Sequence, residues 1–503
     1  MQVSLSLKDD AATIRLGGDL ALALRRGDVL ALSGDLGAGK STLARALLRT
    51  LADDADLEVP SPTFTLVQSY DLRIPAAHFD FYRLADSSEL DELGFDEAIR
   101  DGIAIIEWPE RMPDAIPANR IEIRITHEGD GRRADISAEG EAGKRIERSL
   151  AIRGFLERAG FGSAPRRFLT GDASVRAYEY LPGEKGERLI LMDWPKPPEG
   201  PPVFEGKPYA KVAHIAQDAW PFIAIAQGLA ERGFAVPEVL CADCEQGFLL
   251  LDDLGTDGVL DAQGQPIEER YAASVSALAA LHGRPFTAEI HVKRNDCGAH
   301  VHRVPVFDRV PMAMETRLLL DWYVPWKTGR EASPAERQSY LDIWNGLIDR
   351  LVDSETNLLL RDFHSPNIIW RGERQGLDRI GILDFQDSMI GPTAYDVASI
   401  LQDARVTIPP DMADRLLEVY LSARRSDPPF HEARFRQDLA LMEAQRNCKL
   451  AGLWVRLWKR DGKPGYMKHM PRTLAYLSRA LEHDALAPLR NWFAEAQIGP
   501  SES

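Results

Sequence analysis

Cysteine is scarce, with four in 503 residues, which excludes a disulfide framework and fits reduced thiols. Cys241 and Cys244 have metal-ligand spacing, and Cys297, His300 and His302 offer further ligands for a zinc site. A CxxC without a matched second pair is a weak signal, so turn thiols beside an unrelated His-containing loop are the expectation. Long apolar runs are also missing. The best candidates, such as residues 102–106, stop at strand length, far below the ~20 residues of a membrane span. Residues 1–8 alternate like a strand and lack the basic, apolar and cleavable order of a signal peptide, so a cytoplasmic protein with no membrane contact is expected. Positive charge is in deficit, with a formal net charge of −17. That argues against unaided binding to nucleic acid, which needs clustered Lys and Arg, and leaves any link to RNA to run through a partner protein.

What is present is an ordinary globular composition, 45% hydrophobic and 27% charged, in a chain too long for one core. No internal repeat is apparent. Residues 1–140 alternate strand and helix patterns, closing with a hairpin of 121–125 and 133–137 around Gly129 and Gly131. Small and charged residues at 141–152 predict a linker, with a new helix from about Ile146 to Arg158. Residues 153–503 then read as a second domain, with a strand-rich small lobe to about 256 and a helical lobe over 257–503. The fold class expected is an α/β P-loop NTPase domain followed by a two-lobed α+β protein-kinase-like domain.

The first functional motif is Gly34-Asp-Leu36-Gly37-Ala38-Gly39-Lys40-Ser41, a complete G-x-x-x-x-G-K-[ST] between a predicted strand and a helix opening at Thr42. Such glycines let backbone N–H groups turn toward phosphates, and the helix adds its positive end. Lys40 is expected to reach the β- and γ-phosphates of ATP, and the Ser41 hydroxyl to ligate Mg2+. Asp80 and Glu107 each end an apolar run, where a metal-binding carboxylate belongs.

With Ser61-Pro-Thr-Phe-Thr65, the run 78–84, the acidic stretch 89–94 and Glu107-Trp108, these motifs fall in the order seen in the TsaE family over residues 3–140. TsaE is the ATPase subunit of the complex that makes threonylcarbamoyladenosine on tRNA. The resemblance implies that Ser41, Asp80 and Glu107 serve magnesium and hydrolysis. It also implies that Trp108 and the 61–65 segment lie near the nucleotide or the partner surface, and that the partners are subunits of that complex. Ser41 stands where Thr is more usual, which keeps the hydroxyl.

The second half carries Asp362-Phe-His-Ser-Pro-Asn367, then an apolar run, a turn, and Asp384 at a strand end. Phosphoryl transfer to a hydroxyl needs that order: a base, then two magnesium ligands. Asp362 is the expected base, and Asn367 and Asp384 the metal ligands. Arg361 either helps keep Asp362 ionised or serves a structural ion pair. With residues 169–174, 191–193, 248–255, 321–323 and 391–401, these motifs resemble aminoglycoside phosphotransferase relatives, and in particular the AmgK sugar kinases of cell-wall recycling. That resemblance implies ATP-dependent phosphorylation of the anomeric hydroxyl of N-acetylmuramate or N-acetylglucosamine. Gly171, Asp172 and Ser174 would cover the phosphates, and residues 252–254 would lie near the adenine hinge.

Two departures stand out. The strand 189–193 has no Lys for the α-phosphate, leaving Arg176 or Lys211 as substitutes, and Leu360 replaces a common His. Asp321, Trp322 and Tyr323 suit sugar binding, although aromatics at such spacing, like Trp454 and Trp458, are more often core. The whole reads as a bifunctional fusion. The alternatives are a kinase for an aminoglycoside or choline-like alcohol, or an inactive scaffolding module.

Overall fold

The computed structural model describes residues 1–169, 176–427 and 430–498, apart from 85, 87 and 205. It divides into two compact units, Met1–Asp193 with Phe248–Leu251, and Trp194–Gly247 with Asp252–Ser503.

In the first unit, Val29–Ser33 and Ile103–Glu107 are unbroken apolar runs, which suits parallel strands covered on both faces. The elements are β1 (Gln2–Leu7), α1 (Asp10–Ala23), β2 (Val29–Ser33), α2 (Lys40–Ala52), β3 (Val67–Tyr70), β4 (Ala76–Asp80), α3 (Ser88–Glu92), α4 (Phe95–Asp101), β5 (Ile103–Glu107), β6 (Ile121–Glu128) and β7 (Gly131–Ser137). They form a seven-stranded sheet in the order β1-β7-β6-β2-β5-β4-β3. β2 runs parallel to β5 and β6, and β4 parallel to β5, while β6 and β7 make the expected hairpin. On one sheet face Leu20, Leu43, Leu47, Ile105 and Ile123 share a core; on the other, Phe79, Phe81, Phe95 and Ile106 do. α1 and α2 cross closely at Gly17, where a Cβ would sit 2.8 Å from the Leu43 carbonyl oxygen.

Residues 141–152, expected as a linker, lie inside a continuous helix, α5 (Gly140–Arg158). The reason is packing. Ile146 joins the core under the sheet, and Arg153 forks onto Asp19 of α1 with two bonds of 2.8 Å. Three further strands follow in this unit: β8 (Arg167–Leu169), β9 (Ala177–Pro182) and β10 (Arg188–Asp193). Arg166, just before β8, is buried between Asp19 (2.9 Å) and Glu179 of β9 (2.6 Å). Ser149 of α5 gives its carbonyl to Arg166 and its hydroxyl to the Asp19 carbonyl. The strands predicted to open the kinase-like small lobe are therefore tied by buried charges to the P-loop sheet's first helix. Arg148 also reaches Asp193 of β10, and the Phe155 ring packs 5.8 Å from that of Phe248.

The second unit is mainly helical. Its longest helix, Glu432–Lys459, presents a nearly continuous buried face. The helix Pro334–Asp349 is opened by a full capping box between Ser333 and Glu336. Two short antiparallel pairs, Thr356–Leu359 with Met389–Pro392 and Ile368–Trp370 with Ile380–Ile382, frame the polar loops. One expectation is corrected here: Cys244 and Cys297, 53 residues apart, are joined as a disulfide, because the turn at 244 and the hairpin tip at 297 bring their Cα atoms to 5.6 Å. Cys241 and Cys448 remain thiols. No group of three or more His, Cys, Asp or Glu placed to hold a metal ion occurs among the described residues. No helix among them is long and apolar enough to cross a membrane.

Candidate active sites

The first site lies at the carboxyl ends of β2, β4 and β5, where open α/β sheets take their ligands. Sheet register sets it up: Asp80 pairs with Glu107, and Glu107 pairs with Leu32, two residues before Gly34. Gly34, Gly37 and Gly39 all have positive φ, and a Cβ at Gly34 would lie 2.2 Å from the Ile125 carbonyl oxygen. Only glycine fits there. Lys40 is buried and donates from Nζ to the carbonyls of Gly34 (2.7 Å) and Asp35 (3.0 Å), 3.7 Å from the centre of the Trp108 ring. Burial pulls its pKa down from the ordinary value, against the upward pull of Glu107, Glu110, Asp80 and Asp35. Ser41 Oγ donates to Glu107 Oε2 at 3.0 Å, and the other Glu107 oxygen meets His78 Nε2 at 3.0 Å. Thr63 Oγ1 donates to Asp80 at 3.1 Å, so the 61–65 segment does adjoin one of the predicted acids. Leu36 is exposed at the loop tip, Ala38 is buried beneath it, and Thr42 follows Ser41 on α2. His78, quoted from sequence only within the run 78–84, was given no role there. Oxygen donors from Ser41, Asp80 and Glu107 beside a glycine loop and the N-terminus of α2 suit a hard divalent cation and a nucleotide.

The second site is built by strand pairing and one helix. Ile368 pairs with Ile382, so Asn367 and Leu383 meet across the hairpin, with Leu383 N–H donating to the Asn367 carbonyl (2.9 Å) and Asp384 next along. Asn367 Nδ2 donates to the Asp362 carbonyl at 2.8 Å, tying the predicted base to the predicted metal ligands. Arg361 and Asp384 adopt left-handed φ values of 70° and 57°, which turn the chain sharply on either side of Asn367. The Asp396 carboxylate braces the first bend by accepting from the Leu360 and Arg361 N–H groups. Gln386 donates to Asp384 at 2.9 Å.

Arg361 does make a structural pair: its guanidinium reaches the fully buried Glu315 at 2.6 Å, and Lys449 reaches the same carboxylate at 2.9 Å. Burial would raise Glu315, but Lys449 and Arg361 outweigh it and hold the carboxyl at about 2. Asp362 follows the same balance: burial pushes it up, and Lys449, His364, Arg361 and Arg446 bring it below the usual carboxylate range. It therefore stays ionised, as a base for a neutral hydroxyl must. Beside it lies a cavity of about 180 Å³ whose lining includes Asp362, Asp387, Arg361, Arg446, Lys449 and Arg456. Asp387 accepts from the Ala216 N–H (2.7 Å), and burial raises its pKa, opposed by Arg361. Lys449, Arg446 and Arg456 were not singled out from sequence, because charged residues along a helix read as a solvated face, and Asp387, in the turn after Asp384, was given no role.

Other expected residues sit elsewhere. Tyr323 is core, with no exposure, Asp321 pairs with Arg337 at 2.7 Å, and neither lines that cavity. Trp454 is buried and donates to Thr473. Lys211 pairs with Glu199 at the surface (2.7 Å). Asp252 accepts from the Glu238 N–H, and Asp253 from that of Gly255. Gly171, Asp172 and Ser174 lie outside the described residues.

Comparison with known families matches both halves of the chain. Residues 165–436 match the phosphotransferase enzyme family, and residues 7–134 match the threonylcarbamoyl adenosine biosynthesis protein TsaE. The chain belongs to the phosphotransferase enzyme family and carries an N-terminal TsaE domain. An N-acetylmuramate/N-acetylglucosamine kinase of Caulobacter vibrioides is 34% identical over 364 residues, 69% of this chain and 96% of the relative. The tRNA threonylcarbamoyladenosine biosynthesis protein TsaE of Haemophilus influenzae is 35% identical over 147 residues, 28% of this chain and 92% of the relative. Among solved structures, a choline kinase from Streptococcus pneumoniae matches with a TM-score of 0.42 at 13% identity, covering 67% of this chain and 99% of that one. The fold class expected from sequence, a P-loop α/β domain followed by a kinase-like phosphotransferase domain, is the one found. The protein is an enzyme with an ATPase-type and a phosphotransferase domain.

Proposed function

We propose that this chain is a bifunctional, ATP-using enzyme. Its TsaE domain turns over ATP for tRNA threonylcarbamoylation, acting with the other subunits of that complex. Its phosphotransferase domain phosphorylates the anomeric hydroxyl of N-acetylmuramate or N-acetylglucosamine, feeding cell-wall recycling. In the TsaE domain the P-loop amides and Lys40 would hold the nucleotide phosphates, and Ser41, Asp80 and Glu107 the Mg2+. In the phosphotransferase domain Asp362 takes the proton of the anomeric hydroxyl as its oxygen attacks the γ-phosphorus and the bond to ADP breaks. Asn367 and Asp384 would hold Mg2+, whose charge neutralises the phosphates. Lys449 and Arg361, both anchored on Glu315, keep Asp362 ionised.

The observation carrying the acceptor assignment is the charge of the cavity beside Asp362. Four of its lining side chains are cationic and two acidic, and Glu315 sets one carboxylate against Arg361 and Lys449 from behind, so one positive charge stays in excess. A cationic aminoglycoside or a choline-like alcohol needs the opposite balance, whereas a lactyl carboxylate is matched by it. The names borne by the relatives point the same way. A panel of N-acetylmuramate, N-acetylglucosamine, an aminoglycoside and choline with ATP, scored for phosphorylated product by mass spectrometry, tests the reading. Turnover of the N-acetylated sugars is expected. Turnover confined to the cationic acceptors sinks it.

A further inference from the structure

Arg446, Lys449 and Arg456 lie at i, i+3 and i+10 on the helix Glu432–Lys459, and all three line the cavity. Lys449 is committed to Glu315. The other two make no ion pair of their own among the described residues, although Arg446 is one of the cations that keep Asp362 ionised. Arg446 is 3% exposed, and its guanidinium donates to the Gln402 carbonyl (3.0 Å) with no ion pair among the described residues. Arg456 also has none. Its guanidinium carbon lies 4.8 Å from the centre of the Tyr209 ring, and its buried Nε has no hydrogen-bond partner among the described residues. Arg456 is half-buried, and a guanidinium held there without an acid costs free energy that a ligand's carboxylate offsets. The cavity holds the predicted base Asp362 but neither Asn367 nor Asp384, so it stands on the acceptor side, apart from the metal ligands.

We infer that Arg456, with Arg446 in the same cavity lining, is the docking point for the acceptor's carboxylate. It selects the lactyl-bearing N-acetylmuramate over N-acetylglucosamine, which is the same ring without the acid. This rests on the acceptor reading given above. A guanidinium beside the Tyr209 ring can offer an acid a forked pair of hydrogen bonds, which a lysine ammonium would not reproduce.

The experiment compares kcat/KM for N-acetylmuramate, its methyl ester and N-acetylglucosamine in the wild-type full chain, Arg456→Gln and Arg456→Lys. The reading is the ratio of the two natural sugars, which cancels any general loss from misfolding. Losing a hydrogen-bonded charge contact lowers that ratio about tenfold to a hundredfold in Arg456→Gln, and Arg456→Lys restores it in part. The methyl ester, lacking the charge, responds to Arg456→Gln as N-acetylglucosamine does. An unchanged ratio overturns the assignment. A raised KM for ATP at an unchanged sugar ratio also overturns it, placing Arg456 on the phosphate side. If the wild-type chain phosphorylates neither sugar, the acceptor reading itself falls and takes this assignment with it.

Discussion

Asp362→Asn should reduce sugar phosphorylation by about 10²–10⁴-fold, the usual contribution of a positioned general base. The substitution keeps the size of the side chain and the backbone contact, since Asn367 bonds to the carbonyl of residue 362 and not to its carboxylate. What is lost is the anion that Lys449, His364, Arg361 and Arg446 hold ionised against the effect of burial. The loss should therefore fall on kcat, with the KM for sugar within a few-fold of wild type. ATP hydrolysis by the P-loop site, read as phosphate release without sugar, should not change. Steady-state kinetics of both activities on one preparation check this. A loss below tenfold removes Asp362 from the role of base.

Asp19→Ala should be the most damaging single change to the first unit's stability. Asp19 is 2% exposed and accepts from both Arg153 and Arg166. Removing it leaves Arg153 with only the carbonyls of Gly162 and Ala164, and Arg166 with Glu179 and Ser149. Breaking a buried ion pair in this way costs about 3–5 kcal/mol. For a unit of this size the transition should fall by about 6–20 °C, measured by differential scanning calorimetry. Adding Arg153→Met should recover part of the loss, because the damage is an uncompensated charge and not a cavity. A shift under about 2 °C for Asp19→Ala would mean that water or other groups satisfy these arginines. The kinase consequence is specific. β8 and β9 flank residues 170–175 and share the ionic cluster through Arg166 and Glu179, so sugar phosphorylation should become heat-labile together with P-loop hydrolysis.

What could be read from sequence depended on how local each arrangement is. Gly34–Ser41 works through adjacent backbone groups, so its loop, glycines and lysine were legible before any tertiary contact. Asp362, Asn367 and Asp384 were legible for a similar reason: a short loop and a hairpin bring them together. The cluster of Asp19, Arg153, Arg166 and Glu179 spans 160 residues, and each member alone looks like a surface charge. That is why 141–152 looked like a linker: its polar residues anchor a helix through partners no local window contains. The same limit hid the Cys244–Cys297 bond and the cations of the helix Glu432–Lys459. Tyr323, an aromatic of a kind suited to sugar but more often core, fills the core.

The central claim is that two independent phosphoryl-transfer sites share this chain, one of them making an amino-sugar phosphate. The most direct measurement uses the full chain carrying Lys40→Ala, incubated with ATP and N-acetylmuramate, with the product identified by phosphorus NMR. The account predicts an anomeric sugar phosphate formed at close to the wild-type rate, with one ADP per phosphate transferred and no hydrolysis in the absence of sugar. Absence of an anomeric phosphate from wild type and variant alike, or its loss together with the P-loop lysine, would contradict it.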